Sequence, residues 1–113
     1  MAGLARLLVE GRDVAPVEVC DTARTRSKGL LGRDGLEGAM LISPAKQVHT
    51  FRMRFAIDVA FLDRDGRVLR TRSLPPGRLS PVVLRSRAIL EAEAGAFERW
   101  GVVDGATVTA EPA

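Results

Sequence analysis

Eighteen residues, Ile57 to Leu74, constrain the fold more than any other part of the chain. Ile57, Val59 and Phe61 alternate with Asp58, Ala60 and Leu62, which is the period of a strand. Asp63-Arg64-Asp65-Gly66 follows, with Gly66 able to take a positive φ and close a tight turn. Val68–Leu74 then returns as a second strand until Pro75-Pro76-Gly77 breaks it. A chain that commits its centre to a hairpin must build a sheet around it.

Further strands are expected at Leu7–Val9, closed by Gly11, at Val17–Cys20 after Pro16, at Ala39–Ile42, at Ala88–Glu93 and at Ala106–Ala110. Val48–Phe55 also alternates, with Phe51, Met53 and Phe55 on one side and Thr50, Arg52 and Arg54 on the other. It is read as a half-buried strand. Asp21 stands where an N-cap belongs, and Thr22–Leu31 reads as a helix weakened by Gly29 and ended by Gly32. A second short helix, Ala96–Trp100, stops at Gly101. The expectation is α+β, mostly β: a small single-domain β-barrel or sandwich-like fold with two short helices, spanning residues 1–113.

Charge narrows the function classes. The net charge is +3. The basic residues are nearly all Arg, with Lys only at Lys28 and Lys46, and they are scattered. Aromatic residues number only four Phe and one Trp, with no Tyr, so stacking platforms for bases are scarce and nucleic acid is not an expected partner. A weak anion- or nucleic-acid-binding face would need Arg52 and Arg54 to lie beside Arg70 and Arg72. Cys20 is the single cysteine, which excludes an intrachain disulfide and suits a reducing compartment. No run approaches the roughly 18 apolar residues of a membrane span, and the N-terminus lacks the apolar stretch of a secretory signal. A soluble, cytoplasmic protein is expected.

The candidate site is the stretch His49–Asp63. It holds the only His, two Arg, a Met and an Asp inside a strand. Asp58 shares its strand face with Ala60 and Leu62, so it is expected to be buried and to need donors or a cation. Those donors could fix a bend between strands or belong to a ligand. His49, Thr50, Arg52, Met53, Arg54 and Asp58 together form the candidate ligand-binding set. With one His and one Cys no metal site is expected, and no cofactor is implied. An enzymatic alternative uses His49 with Asp58, or with Cys20 as a thiol at a helix start. Asp63-Arg64-Asp65-Gly66 superficially resembles the start of a calcium loop but lacks the remaining ligands.

Gly29–Ile42, His49–Arg70 and Ile89–Val108 resemble, in order, the blocks of domain-of-unknown-function family 192 (DUF 192), over a core from about residue 17 to residue 108. The resemblance implies a small β-rich, barrel- or sandwich-like domain with no established activity. Phe51, Met53, Arg54, Asp58 and Phe61 fall on the family's characteristic pattern. Arg52 stands where the family has Trp, Ala56 where it has Pro, and the connection from Met53 to Asp58 is shorter. Many members carry an export or anchor segment, which is not expected here. The function expected is that of a small binding or accessory domain with a polar pocket around Met53 and Asp58, for an unknown small ligand or protein.

Overall fold

The structure, a computed structural model, describes residues 3–112. The chain forms β1 (Gly3–Val9), β2 (Arg12–Cys20), α1 (Ala23–Lys28), β3 (Ala39–Ile42), β4 (Ile57–Leu62), β5 (Val68–Leu74), β6 (Ala88–Glu93), α2 (Ala96–Trp100) and β7 (Val108–Pro112). All seven strands belong to one sheet, in the order β5-β4-β6-β3-β2-β1-β7. β2 and β3 run parallel, with α1 in the crossover between them, and every other pairing is antiparallel.

β1 and β2 turn through Glu10 and Gly11, at φ 50° and 79°, the two left-handed residues a tight hairpin requires. The hairpin arms extend well beyond the short apolar runs that mark them in the sequence. β2 even runs through Pro16, because pairing with β3 begins only at Val17 and the ladder on that side does not need the missing N–H. Gly38 enters β3 against this proline. A Cβ there would strike the Pro16 carbonyl oxygen, so the close approach of the two chains depends on glycine.

The sheet coils until its two edge strands meet at one corner. Val68 N–H donates to the Ala106 oxygen and Val108 N–H to the Gly66 oxygen, each at 2.8 Å, around an isolated bridge between Arg67 and Thr107. The Gly105 N–H adds a bond to the Val68 oxygen at 2.8 Å, but β5 and β7 are not paired as neighbouring strands. The sheet is therefore sandwich-like and is not a closed barrel.

Two hydrophobic cores follow from this curl. One lies inside it, where Leu7, Val17, Ala60, Leu90, Phe97 and Val108 pack. The other lies on the opposite face of β3, β4 and β6. There Met40, Ile57, Val59, Phe61 and Ile89 are covered by Leu30, Leu36 and Met53 from the connecting segments. Every residue of β4 is buried as a result. This is why its alternation of apolar and small residues does not mark a wet face.

Three sequence expectations are corrected. The N-cap of α1 is Thr22, not Asp21: Thr22 Oγ1 accepts from the Thr25 N–H at 3.1 Å and Thr25 Oγ1 accepts from the Thr22 N–H at 3.2 Å. The helix ends at Gly29, whose φ of 43° breaks it before Leu31. Val48–Phe55 is not a strand. His49 makes a single bridge to Leu79, and the chain then turns through Arg52 at φ 63°, leaving Phe51 exposed and Met53 buried. Alternation in that stretch reflects a turn that dips one side chain into the second core.

Candidate functional site

β6 lies between β3 and β4, so Glu91 faces Met40 on one neighbour and Val59 on the other. Its side chain belongs to the face that carries the second core. That core is not fully roofed. α1 and the segment from Ile42 to Met53 leave a cavity of about 250 Å³, with Glu91 among its lining residues. Leu30, Ile42, Val48 and Met53 supply apolar wall, and Arg26, Lys28, Gln47 and His49 contribute polar groups.

Glu91 is only 4% exposed, and its carboxyl group makes no hydrogen bond among the described residues. Burial alone pushes it up to about 7. The oxygens are not sealed off, since the described residues contain no fully enclosed side-chain oxygen or nitrogen that lacks a partner. They therefore open on the cavity.

The cavity walls are tied down. Arg26 Nη1 reaches the Asp21 and Ser43 carbonyl oxygens, both at 3.4 Å, and so links α1 to the exit of β3. Gln47 Nε2 donates to the Ser80 oxygen at 3.0 Å, and Val48 N–H donates to Ser80 Oγ at 2.9 Å. Thr50 is fully buried. Its hydroxyl donates to the Pro75 oxygen at 2.6 Å and accepts the Arg78 N–H at 2.8 Å, which clamps the Pro75–Ser80 loop to the turn. The His49 ring stacks on Phe51 at a centroid distance of 5.0 Å, and its Nδ1 accepts the Phe51 N–H at 3.3 Å. In the neutral ring the proton is thereby assigned to Nε2.

The six residues singled out in the sequence do not come together. His49 and Met53 line the cavity. Thr50 is engaged in the loop clamp. Arg52 is exposed in the turn, and Arg54 pairs on the surface with Asp34 at 2.8 Å. Asp58 points to the opposite face of the sheet. It accepts from Ser73 Oγ at 3.0 Å, from the Gly95 N–H at 2.9 Å and from the Phe97 N–H at 3.2 Å. Gly95 is the N-cap of α2 and has no side chain to satisfy those N–H groups, so Asp58 caps the helix from a neighbouring strand. The His49–Asp58 pair considered from the sequence is not formed, since every bond to Asp58 comes from Ser73, Gly95 or Phe97.

Cys20 lines an adjoining hollow of about 390 Å³ with Glu18, Arg24, Arg33 and Met40. Arg33 grips Glu18 through two bonds of 2.6 and 3.0 Å. Burial, reinforced by the Glu18 carboxylate, pushes the Cys20 thiol up, the reverse of what an activated nucleophile needs. The four-arginine face is also absent, because Arg52 and Arg54 lie in a turn and not on a strand beside Arg70 and Arg72. Asp63 Oδ1 accepts the Asp65 and Arg67 N–H groups at 2.9 and 3.0 Å and so serves the hairpin turn. Among the described residues no group of three or more His, Cys, Asp or Glu side chains could hold a metal ion. Nor is any helix there long and apolar enough to cross a membrane.

The sequence reading missed Glu91. Ile89, Glu91 and Glu93 look like the wetter face of an edge strand. The pairing that buries Glu91, against Met40 of β3 and Val59 of β4, is not local in the sequence.

Comparison with solved structures finds the same fold in proteins of distant sequence. A protein of unknown function from Novosphingobium aromaticivorans is 24% identical with a TM-score of 0.81, over 94% of this chain and 84% of that one. A protein of Sinorhizobium meliloti, provisionally described as a transcription regulator, is 21% identical with a TM-score of 0.80, over 96% of this chain and 95% of that one. No curated protein matches the chain. The family model DUF192, described as an uncharacterized ACR, matches residues 6–110. With nearly the whole sheet inside that match, the chain belongs to the DUF192 family.

Proposed function

We propose that this domain is a binding module that takes a small molecule in the cavity between α1 and the segment from Ile42 to Met53. One observation carries the reading: the buried Glu91 carboxyl opens on that cavity without a donor of its own. An unpaired buried carboxyl destabilises the fold, and a protein has little structural reason to keep one. A ligand that hydrogen-bonds to it would supply what the fold withholds. The site assignment accordingly moves from Asp58 to Glu91, with His49 and Met53 retained. Arg52 and Arg54 would act only as outer contacts, and Thr50 as a support for the wall.

The buried thiol of Cys20 favours a reducing, cytoplasmic setting for this activity. The dispersal of Arg over separate elements favours a small molecule over nucleic acid as the partner. The test is a fragment screen read on the Met53 methyl resonance. Binding should shift Met53, and Glu91→Gln should weaken it. A screen in which no compound moves Met53 overturns the reading.

A further inference from the structure

The cavity lining carries both an acid and two cations. On β6 sits a carboxyl group that is 4% exposed and has no donor among the described residues. α1 contributes two cations to the same lining, half-buried Arg26 and exposed Lys28. Leu30, Ile42 and Met53 supply apolar wall.

We propose that the cavity takes a small zwitterion of amino-acid type, its ammonium group on Glu91 and its carboxylate towards Arg26 and Lys28. The proposal rests on the reading of the cavity as a binding site and names the class of ligand. A cavity of about 250 Å³ equals the space of about eight water molecules, which suits a molecule the size of leucine. A carboxylic acid without an amine would lay its apolar end against Glu91 and leave that group unpaired. An amine without a carboxylate would satisfy Glu91 and forgo the attraction of the two cations.

Binding moves a proton. The protonated Glu91 carboxyl loses its proton to solvent, and the resulting carboxylate accepts from the incoming ammonium group, which keeps its own protons. Other charged groups surround this one. Arg26 and Lys28 face it from α1, and His49 from the turn. Glu18 and Cys20 approach from β2, Glu18 being held by Arg33. Glu93, on the same strand, accepts the Leu36 N–H at 2.9 Å. β3 and β4 contribute only Met40, Ile42 and Val59. Histidine is the other side-chain type that changes charge near neutrality, and Glu91→Gln, which keeps the histidine, separates the two sources.

The experiment is calorimetry near neutral pH in two buffers of different ionisation enthalpy, with L-leucine, 3-methylbutylamine and 4-methylpentanoate as probes. Leucine should bind and release a proton. 4-Methylpentanoate should bind about tenfold more weakly or worse, as expected for loss of a charge-assisted bond. Glu91→Gln should abolish the proton release. Exposed Lys28→Ala should weaken leucine but not the amine, which keeps the test informative if the Glu91 variant folds poorly. The proposal is overturned if 4-methylpentanoate matches leucine, if leucine binds without proton release, or if leucine gives no heat up to about 10 mM, which corresponds to an affinity too weak to be specific. In that last case the Met53 methyl decides the wider reading. A shift with any neutral or anionic fragment leaves the cavity a binding site for another class, and silence with all of them removes it.

Discussion

Two buried carboxylates, Glu91 and Asp58, face opposite sides of the sheet and meet opposite fates. Asp58 has three donors and serves α2. Asp58→Ala should therefore cost about 2 kcal/mol, the combined loss of a cap and a charge-assisted bond, in a urea titration. It should leave ligand-induced shifts of Met53 intact. Glu91 has no donor, and its linkage runs the other way from that of an ordinary paired carboxylate. Its folded pKa is raised from 4.5 to about 7. Between those values the folded state holds more protons than the unfolded one, so stability falls as pH rises, and above about pH 7 the whole penalty is in force. At 1.36 kcal/mol per unit this penalty is about 3 kcal/mol. Glu91→Gln should match the wild type in thermal unfolding near pH 4.5 and exceed it in stability near about pH 8. Glu18, Asp13 and Asp63 are all held below their usual values, Glu18 and Asp13 by their Arg partners and Asp63 by backbone N–H groups. They stabilise the fold above the unfolded carboxylate range and lose that effect at acid pH. They are common to both proteins and cancel in the comparison.

At the scale of elements, the connecting segments decide whether there is a cavity at all. Thr50 joins two of them through its buried hydroxyl. Thr50→Val keeps the shape but strands the Pro75 oxygen and the Arg78 N–H, at a cost of about 1–3 kcal/mol. Amide exchange should quicken at Gly77, Arg78 and Ser80, whose N–H groups bond to Thr50 and Val48, while β4 and β6 stay protected. The central hairpin, β6 and α2 are legible in the sequence because their signals are local: an Asp-Gly turn, an alternating run, a helix stopped by Gly101. The turn at Val48–Phe55 is not, since its alternation copies that of a strand and nothing nearby announces the positive φ of Arg52. The capping of α2 by Asp58 is hidden for another reason. The partners lie 37 and 39 residues apart, and only the pairing of β4 with β6 brings them together.

At the scale of the molecule, the curl of the sheet sets which residues are buried twice. β4 and β6 are interior strands of a sheet with a core on each face, and that arrangement buries Glu91. No local pattern reports it, which is why the burial of Asp58 is readable from its apolar strand neighbours and that of Glu91 is not. The curl depends on the corner where the edges meet. Gly66 sits there at φ 82°, and a Cβ would collide with the Val108 carbonyl oxygen. Gly66→Ala should cost more than the roughly 1–2 kcal/mol of a left-handed residue alone, read as a lowered urea midpoint with accelerated exchange at Val68 and Val108.

The binding site is defined by an uncompensated carboxyl group in the wall of a cavity, and a carbon-detected NMR titration of the Glu91 side-chain carboxyl reads that group directly. A midpoint near 7, moving down when leucine is added, is the result expected. A midpoint at the ordinary 4.5 would show that the group is already solvated or paired, and would contradict both the site and the ligand class drawn from it.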